Sequence, residues 1–236
     1  MLERLESLAT KYPIDIVAHL VILIPVLVGV ARFSYLKRDM KLVMLFLIGD
    51  FSTETMSLLS MLRGGTTVHM LDIRASLNIA LVTSIYGAAL IRPRQQKIMV
   101  GVGILFFLFS VIAYSGRVVA PWSQTAFRVF AIGATLAYYN AILADLNLKK
   151  IHHHSMFWFT MGLLFYVGGT LFSMLFNQYL HDEATPAAIS DQFTVLSQSL
   201  YIAFCLLATL GFWVSKYDLK NYFERNYFTD NVFKDN

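Results

Sequence analysis

Charge is scarce in this chain and cysteine is nearly absent. Lys, Arg, Asp and Glu make up 14% of 236 residues, against about a quarter in a soluble globular domain, so a large solvated surface is excluded. Cys205 is the single cysteine, which rules out an intramolecular disulfide, and its place inside an apolar run marks a buried structural thiol. The formal charge of +4 comes without any compact block of Lys and Arg, so the electrostatic footprint of a nucleic-acid binder is missing. No Gly-rich phosphate loop, no Ser-His-Asp set with a supporting motif and no intramembrane histidine pair of a metal hydrolase is present, so nothing points to an enzyme. His152, His153 and His154 are adjacent, which aims them in different directions, and no cysteine or carboxylate cluster accompanies them; they read as a polar loop. A retinal Schiff base is excluded as well, because the last apolar run holds no lysine before Lys216.

What the chain has is apolar length. Hydrophobic residues are 57% of the total and the mean hydropathy is +0.58, above the roughly 45–50% apolar content of soluble domains. An integral membrane protein is implied, with the lipid bilayer as its first partner. An α-helix needs about 20 residues to cross about 30 Å of hydrocarbon. Seven runs meet that length: Pro13–Ala31, Met40–Leu62, Met70–Ile91, Lys97–Tyr114, Pro121–Ala144, Ser155–Leu180 and Asp191–Val214. The sequence therefore predicts an all-α, seven-helix transmembrane bundle over residues 13–215. The first dozen residues mix Glu3, Arg4, Glu6 and Lys11 with leucines, unlike the basic start of a cleaved signal peptide, so the first run is expected to be retained.

Basic residues alternate between the loops. Arg32, Lys37, Arg38 and Lys41 lie at the first connection, Arg92, Arg94 and Lys97 at the third, Lys149 and Lys150 at the fifth, Lys216 and Lys220 after the last span. The second and fourth connections have Arg63 and Arg117 alone, and the sixth carries Asp182 and Glu183 instead. By the positive-inside rule the N-terminus is outside and the C-terminus inside. Trp122, Trp158 and Trp213 fall near span ends, as interfacial aromatics do. Leu2, Leu5 and Leu8 predict a short interfacial helix over residues 1–12, and Leu219, Tyr222, Phe223 and Tyr227 predict another in a cytoplasmic tail, 216–236, which reads either as a membrane-surface helix or as a docking segment for a protein partner. Gly133, Ala137 and Ala141 in the fifth span, with Gly101, Gly103, Gly168 and Gly169, predict close helix packing.

The second run is interrupted by Gly49-Asp50-Phe51-Ser52-Thr53-Glu54-Thr55. Asp50 and Glu54 are four residues apart and share a helix face. An ionised carboxylate at mid-bilayer costs about 3 kcal/mol on insertion scales, so it faces protein or water and carries a functional expectation. Counting residues from the outer ends, at about 1.5 Å each, puts Arg74 and Asn78 of the third span and Arg128 of the fifth at comparable depth. The same layer takes in Asp15 and His19, Thr170, Ser173 and Asn177, and Ser197, Gln198 and Tyr201. The fourth span offers only Ser110 and is expected to face lipid. Two acids then meet two bases in an outward polar cavity over an apolar inner plug. Three readings stay open: ion pairs that only staple helices, a cavity for a small polar ligand using Asp50, Glu54, Arg74, Asn78, Arg128, Gln198, Tyr201 and His19, or an ion path. The last lacks a continuing chain of acids or histidines through the inner half.

Leu23-Ile24-Pro25-Val26-Leu27-Val28-Gly29-Val30-Ala31-Arg32-Phe33, the segment ending the third span, and Phe157-Trp158-Phe159-Thr160-Met161-Gly162-Leu163-Leu164-Phe165-Tyr166-Val167-Gly168-Gly169-Thr170 resemble the seven-helix membrane module common in Bacteroidota. That module occurs alone or ahead of a histidine kinase as its sensor. The resemblance extends over essentially the whole chain and implies a sensory protein of the inner membrane. The stretch after the last span is too short for a kinase or other catalytic domain, so a signal is expected to leave through a separate partner chain. A structural subunit and a small transporter are the alternatives.

Overall fold

A computed structural model of the protein describes residues 13–63, 68–113, 122–144, 153–175 and 187–232. The described residues are helical, with no strand among them. The helices are α1 (Pro13–Val21), α2 (Leu23–Ala31), α3 (Arg38–Leu62), α4 (Val68–Ala89), α5 (Pro93–Ile112), α6 (Trp122–Ala144), α7 (Ser155–Leu175) and α8 (Ala187–Val232). The interfacial helix expected over residues 1–12 lies outside the described residues.

Six segments are long and apolar enough to cross a membrane: α1–α2 taken together, α3, α5, α6, and parts of α7 and α8. This is the make-up of a multi-pass membrane protein. The 22-residue α4 is comparable in length but is not among them, because Asp72, Arg74 and Asn78 dilute its apolar content.

Local sequence accounts for the departures from the expected spans. The first run is two helices joined at Ile22, because Pro25 has no N–H to offer the Val21 carbonyl and its ring crowds that turn. The fourth begins earlier than Lys97, with Pro93 in the first turn, where its missing N–H costs nothing. The largest difference is at the end. Instead of a span to Val214 followed by a separate short helix, α8 runs unbroken for 46 residues, or about 69 Å at 1.5 Å per residue. Neither Gly nor Pro occurs between Val214 and Val232 to stop it.

Packing closes a ring. α3 packs on α4, α4 on α6, α6 on α7, α7 on α8, and α8 on α1 and α2, which return to α3. α5 sits outside, against α4 and α6, and leaves Ile104, Leu105, Leu108, Val111 and Ile112 exposed. That matches the lipid-facing character expected of the fourth run. The small residues act unevenly. A Cβ at Gly103 would strike the Thr83 side chain, one at Gly169 the Leu200 side chain, and one at Gly211 would come within 2.9 Å of the Ser155 carbonyl oxygen. These glycines set the α4–α5 and α7–α8 approaches. Gly101, Gly133 and Gly168 have open space beside them, so the expected close packing through these three is not found.

Inside the ring, Phe46 of α3 meets Phe159 of α7 at 6.1 Å and Phe204 of α8 at 6.3 Å, both edge-on. Tyr86 and Tyr138 add a second ring pair at 5.5 Å, and the Tyr86 hydroxyl donates to Thr160 Oγ1 at 3.3 Å. This aromatic plug fills the half of the bundle where α3 begins and α4 ends. At that same end Arg32 lies 4.1 Å over the Trp213 ring and donates to the Trp213 carbonyl at 3.2 Å.

Candidate functional site

The polar interruption of α3 remains helical because its hydroxyls turn inward on the backbone. Ser52 donates to the Ile48 carbonyl at 2.7 Å, Thr53 to Asp50 at 3.0 Å and Thr55 to Phe51 at 2.8 Å. Such back-bonding leaves the groups satisfied without water. Asp50 falls twelve residues from either end of α3, and its carboxylate is 2% exposed.

Arg74 holds both acids. Its Nε donates to Asp50 Oδ1 at 2.6 Å and its Nη2 to Asp50 Oδ2 at 2.8 Å, while Nη1 reaches Glu54 Oε1 at 2.8 Å. The planar guanidinium makes the two-point contact with Asp50 that a lysine cannot. Asp50 also accepts from the Tyr201 hydroxyl at 2.8 Å and from Asn78 Nδ2 at 3.3 Å. Each carboxylate oxygen thus has two donors, which is what keeps a charge tolerable in a dry interior.

The network opens towards Glu54. The second Glu54 oxygen faces His19 Nδ1 at 3.4 Å, and His19 Nε2 lies 3.3 Å from Thr55 Oγ1. The imidazole stacks on Phe51 with centroids 4.9 Å apart. Side-chain exposure rises from 3% at Asp50 to 24% at Glu54 and 20% at His19. Asp15 lies beside Gln198 and Glu54, so Gln198 belongs to this open side and not to the Asp50–Arg74 pair. Four elements meet here: α1 through His19, α3 through both acids, α4 through Arg74 and Asn78, and α8 through Tyr201.

The expectation that two acids meet two bases needs correction. Arg128 of α6 is 5% exposed, yet no carboxylate among the described residues is within ion-pair range of it. Its Nε donates to Thr170 Oγ1 at 3.0 Å, and Nη1 to the Gln124 carbonyl and Oε1 at 3.1 and 3.0 Å. Both carboxylates went to Arg74 because the i, i+4 pair on α3 faces α4 directly, whereas α6 is one helix further round the ring. A lone guanidinium in a membrane interior costs about 2.5–3.5 kcal/mol on insertion scales, partly offset here by three neutral acceptors.

Residues beyond the expected set complete the layer. Ser123 donates to Asp72, and Gln124 Nε2 to the Leu71 carbonyl at 2.5 Å, tying α6 to α4. Ser76 and Ser110 pair at 2.9 Å between α4 and α5. Asp72, an acid inside an apolar run, was itself the signal for the first of these. Tyr166 of α7 lies against Tyr201 at 5.4 Å and within electrostatic reach of Arg128 and Arg74; in an aromatic stretch it reads only as core. Ser197 and Ser173 pair at 3.3 Å between α8 and α7, while Asn177 lies outside the described residues.

No group of three His, Cys, Asp or Glu among the described residues is placed to hold a metal. A separate crevice of about 460 Å³ between α5 and α6, lined by Met99, Val102, Phe106, Phe130, Ala134 and Ala137 among others, is mostly apolar. Comparison with protein-family models, with curated proteins and with solved structures finds no match.

Proposed function

We propose that the chain is a receptor-like, sensory membrane protein. In this reading the chain has seven spans, with α4 as the third, an N-terminus outside and a C-terminus in the cytoplasm at the inner membrane; the loop charges and the resemblance to the Bacteroidota sensory module support it. A small polar ligand enters the outer half of the ring and is held in the layer of Arg74, Arg128, Tyr166, Asp50 and Glu54. The response leaves through α8 and the inner loops to a separate partner protein.

The observation that carries this reading is the Asp50–Arg74–Glu54–His19 network with Tyr201. It ties four of the bundle's elements to one guanidinium, so a ligand that competes for Arg74 acts on all of them. Ligand response needs differential affinity for two helix arrangements, and a shared hydrogen-bond centre supplies it. The second reading, a structural subunit in which the layer only fastens helices, is favoured by the four donors already on Asp50. Screening polar metabolites against the full chain in nanodiscs separates the two. The sensory reading expects a compound that raises the melting temperature of the wild type and not of Arg128→Leu. No stabilising compound, together with a stoichiometric companion protein retained in mild detergent, refutes it.

A further inference from the structure

Arg128 and Tyr166 leave hydrogen-bonding capacity unspent in the middle of the layer. Of the five guanidinium N–H groups, those on Nε and Nη1 go to Thr170 and Gln124, while Nη2 has no acceptor among the described residues. The Tyr166 hydroxyl makes no hydrogen bond with a described residue either. It lies within electrostatic reach of Arg128. A buried guanidinium held only by neutral acceptors is a poor arrangement for the empty protein. It becomes a good one when an anion stands against Nη2.

The layer therefore asks for an acceptor at Arg128.

We propose that Arg128, with Tyr166, forms a site for a small oxyanion, a carboxylate or a phosphate, which resting on the sensory reading above is the class of the sensed ligand. Guanidinium matches such groups by two parallel N–H···O bonds. The acids are then not ligand contacts: both are engaged by Arg74, which they position. The oxyanion comes either free from solution or on a lipid headgroup.

The test uses the full chain in nanodiscs, with melting followed for the wild type, Arg128→Gln, Tyr166→Phe and, as a control for bulk salt, Arg63→Gln at an exposed helix end. Sodium phosphate and sodium acetate are titrated against sodium chloride at constant ionic strength in phosphatidylcholine discs. A second arm replaces part of the phosphatidylcholine by phosphatidylglycerol with neither anion added. A saturable rise of about 3–6 °C at tenfold the dissociation constant is expected, absent in Arg128→Gln, weakened in Tyr166→Phe and kept in Arg63→Gln. A rise in the first arm identifies a free anion, and one confined to the second a headgroup. If no probe gives a rise that depends on Arg128, the oxyanion site is overturned. If a neutral polar compound then stabilises the wild type alone, the cavity reading survives that failure; if nothing does, both fall.

Discussion

Removing Arg74 while keeping its size, by Arg74→Met, strands two carboxylates in the interior. Three charge-assisted hydrogen bonds of 2.6, 2.8 and 2.8 Å are lost, each worth about 1.5–3 kcal/mol. Their sum is an upper bound, since Asp50 keeps Tyr201 and Asn78 as donors and one acid can take up a proton. The net loss is then about 3–5 kcal/mol, the usual cost of breaking a buried pair from one side. At about 2–4 °C per kcal/mol for a chain of this size, melting falls by about 6–20 °C. Cys205, the only cysteine and fully buried, makes a built-in reporter: a thiol-reactive fluorophore lights up only as the bundle opens. The companion variant, Arg74→Met with Asp50→Asn and Glu54→Gln, removes the stranded charges and recovers more than half of the loss. Equal melting of Arg74→Met and wild type refutes the network as a stabilising element. A triple variant no better than the single one refutes stranded charge as the cause.

Tyr201→Phe takes one donor from the Asp50 Oδ2 carboxylate oxygen and should cost about 1.5–3 kcal/mol, read with the same fluorophore. His19→Ala should cost under about 1 kcal/mol, because its 3.4 Å contact with Glu54 is partly solvated; a drop comparable to that of Arg74→Met contradicts the gradient of burial. Gly211→Ala pushes a methyl group to 2.9 Å from the Ser155 carbonyl and should lose about 1–3 kcal/mol as α7 and α8 part, whereas Gly133→Ala, in open space, should be neutral; melting curves of the two decide. For orientation, cysteines introduced at Arg63 and at Lys216 in a Cys205→Ser background should label with an impermeant reagent from opposite faces of sealed vesicles, Arg63→Cys from outside.

The helices were legible because hydrophobic length in lipid is a coarse, additive signal: most runs recur within a few residues of their expected ends. The centre of the site was legible for a related reason. Ionisable residues inside such runs are costly enough that Asp50, Glu54, Arg74 and Arg128 had to converge on the interior. Which acid takes which base was not legible. Pairing depends on the angular order of helices round the ring, and depth along each helix carries no information about angle. That is why depth alone pairs Arg128 with an acid, whereas no carboxylate among the described residues is within ion-pair range of it. Tyr166 and Tyr201 were unequal for another reason: Tyr201 stood among Ser197 and Gln198, which mark a polar face, while Tyr166 stood among Phe, Leu and Val. The length of α8 is not legible from hydropathy, because a membrane boundary need not be a helix boundary and neither Gly nor Pro between Val214 and Val232 stops the helix.

The layer and the plug share residues. Tyr201 touches Asp50 through its hydroxyl at 2.8 Å and Phe204 through its ring at 6.1 Å. Tyr166 stacks on Phe204 at 5.8 Å, and Phe204 locks against Phe46 and Phe159. Close-packed rings do not yield continuously; they move between discrete packings. On the sensory reading proposed above, a group bound beside Tyr166 acts on α8 by two routes, through the Tyr201–Asp50 bond and through Phe204. A tenfold change in the balance of two packings needs about 1.4 kcal/mol. One hydrogen bond to a charged acceptor is worth about 1.5–3 kcal/mol, so on that reading losing the Tyr201–Asp50 contact alone is enough for such a change. Ionic anchoring of both acids by Arg74 is stronger than that, and it holds α3 to α4.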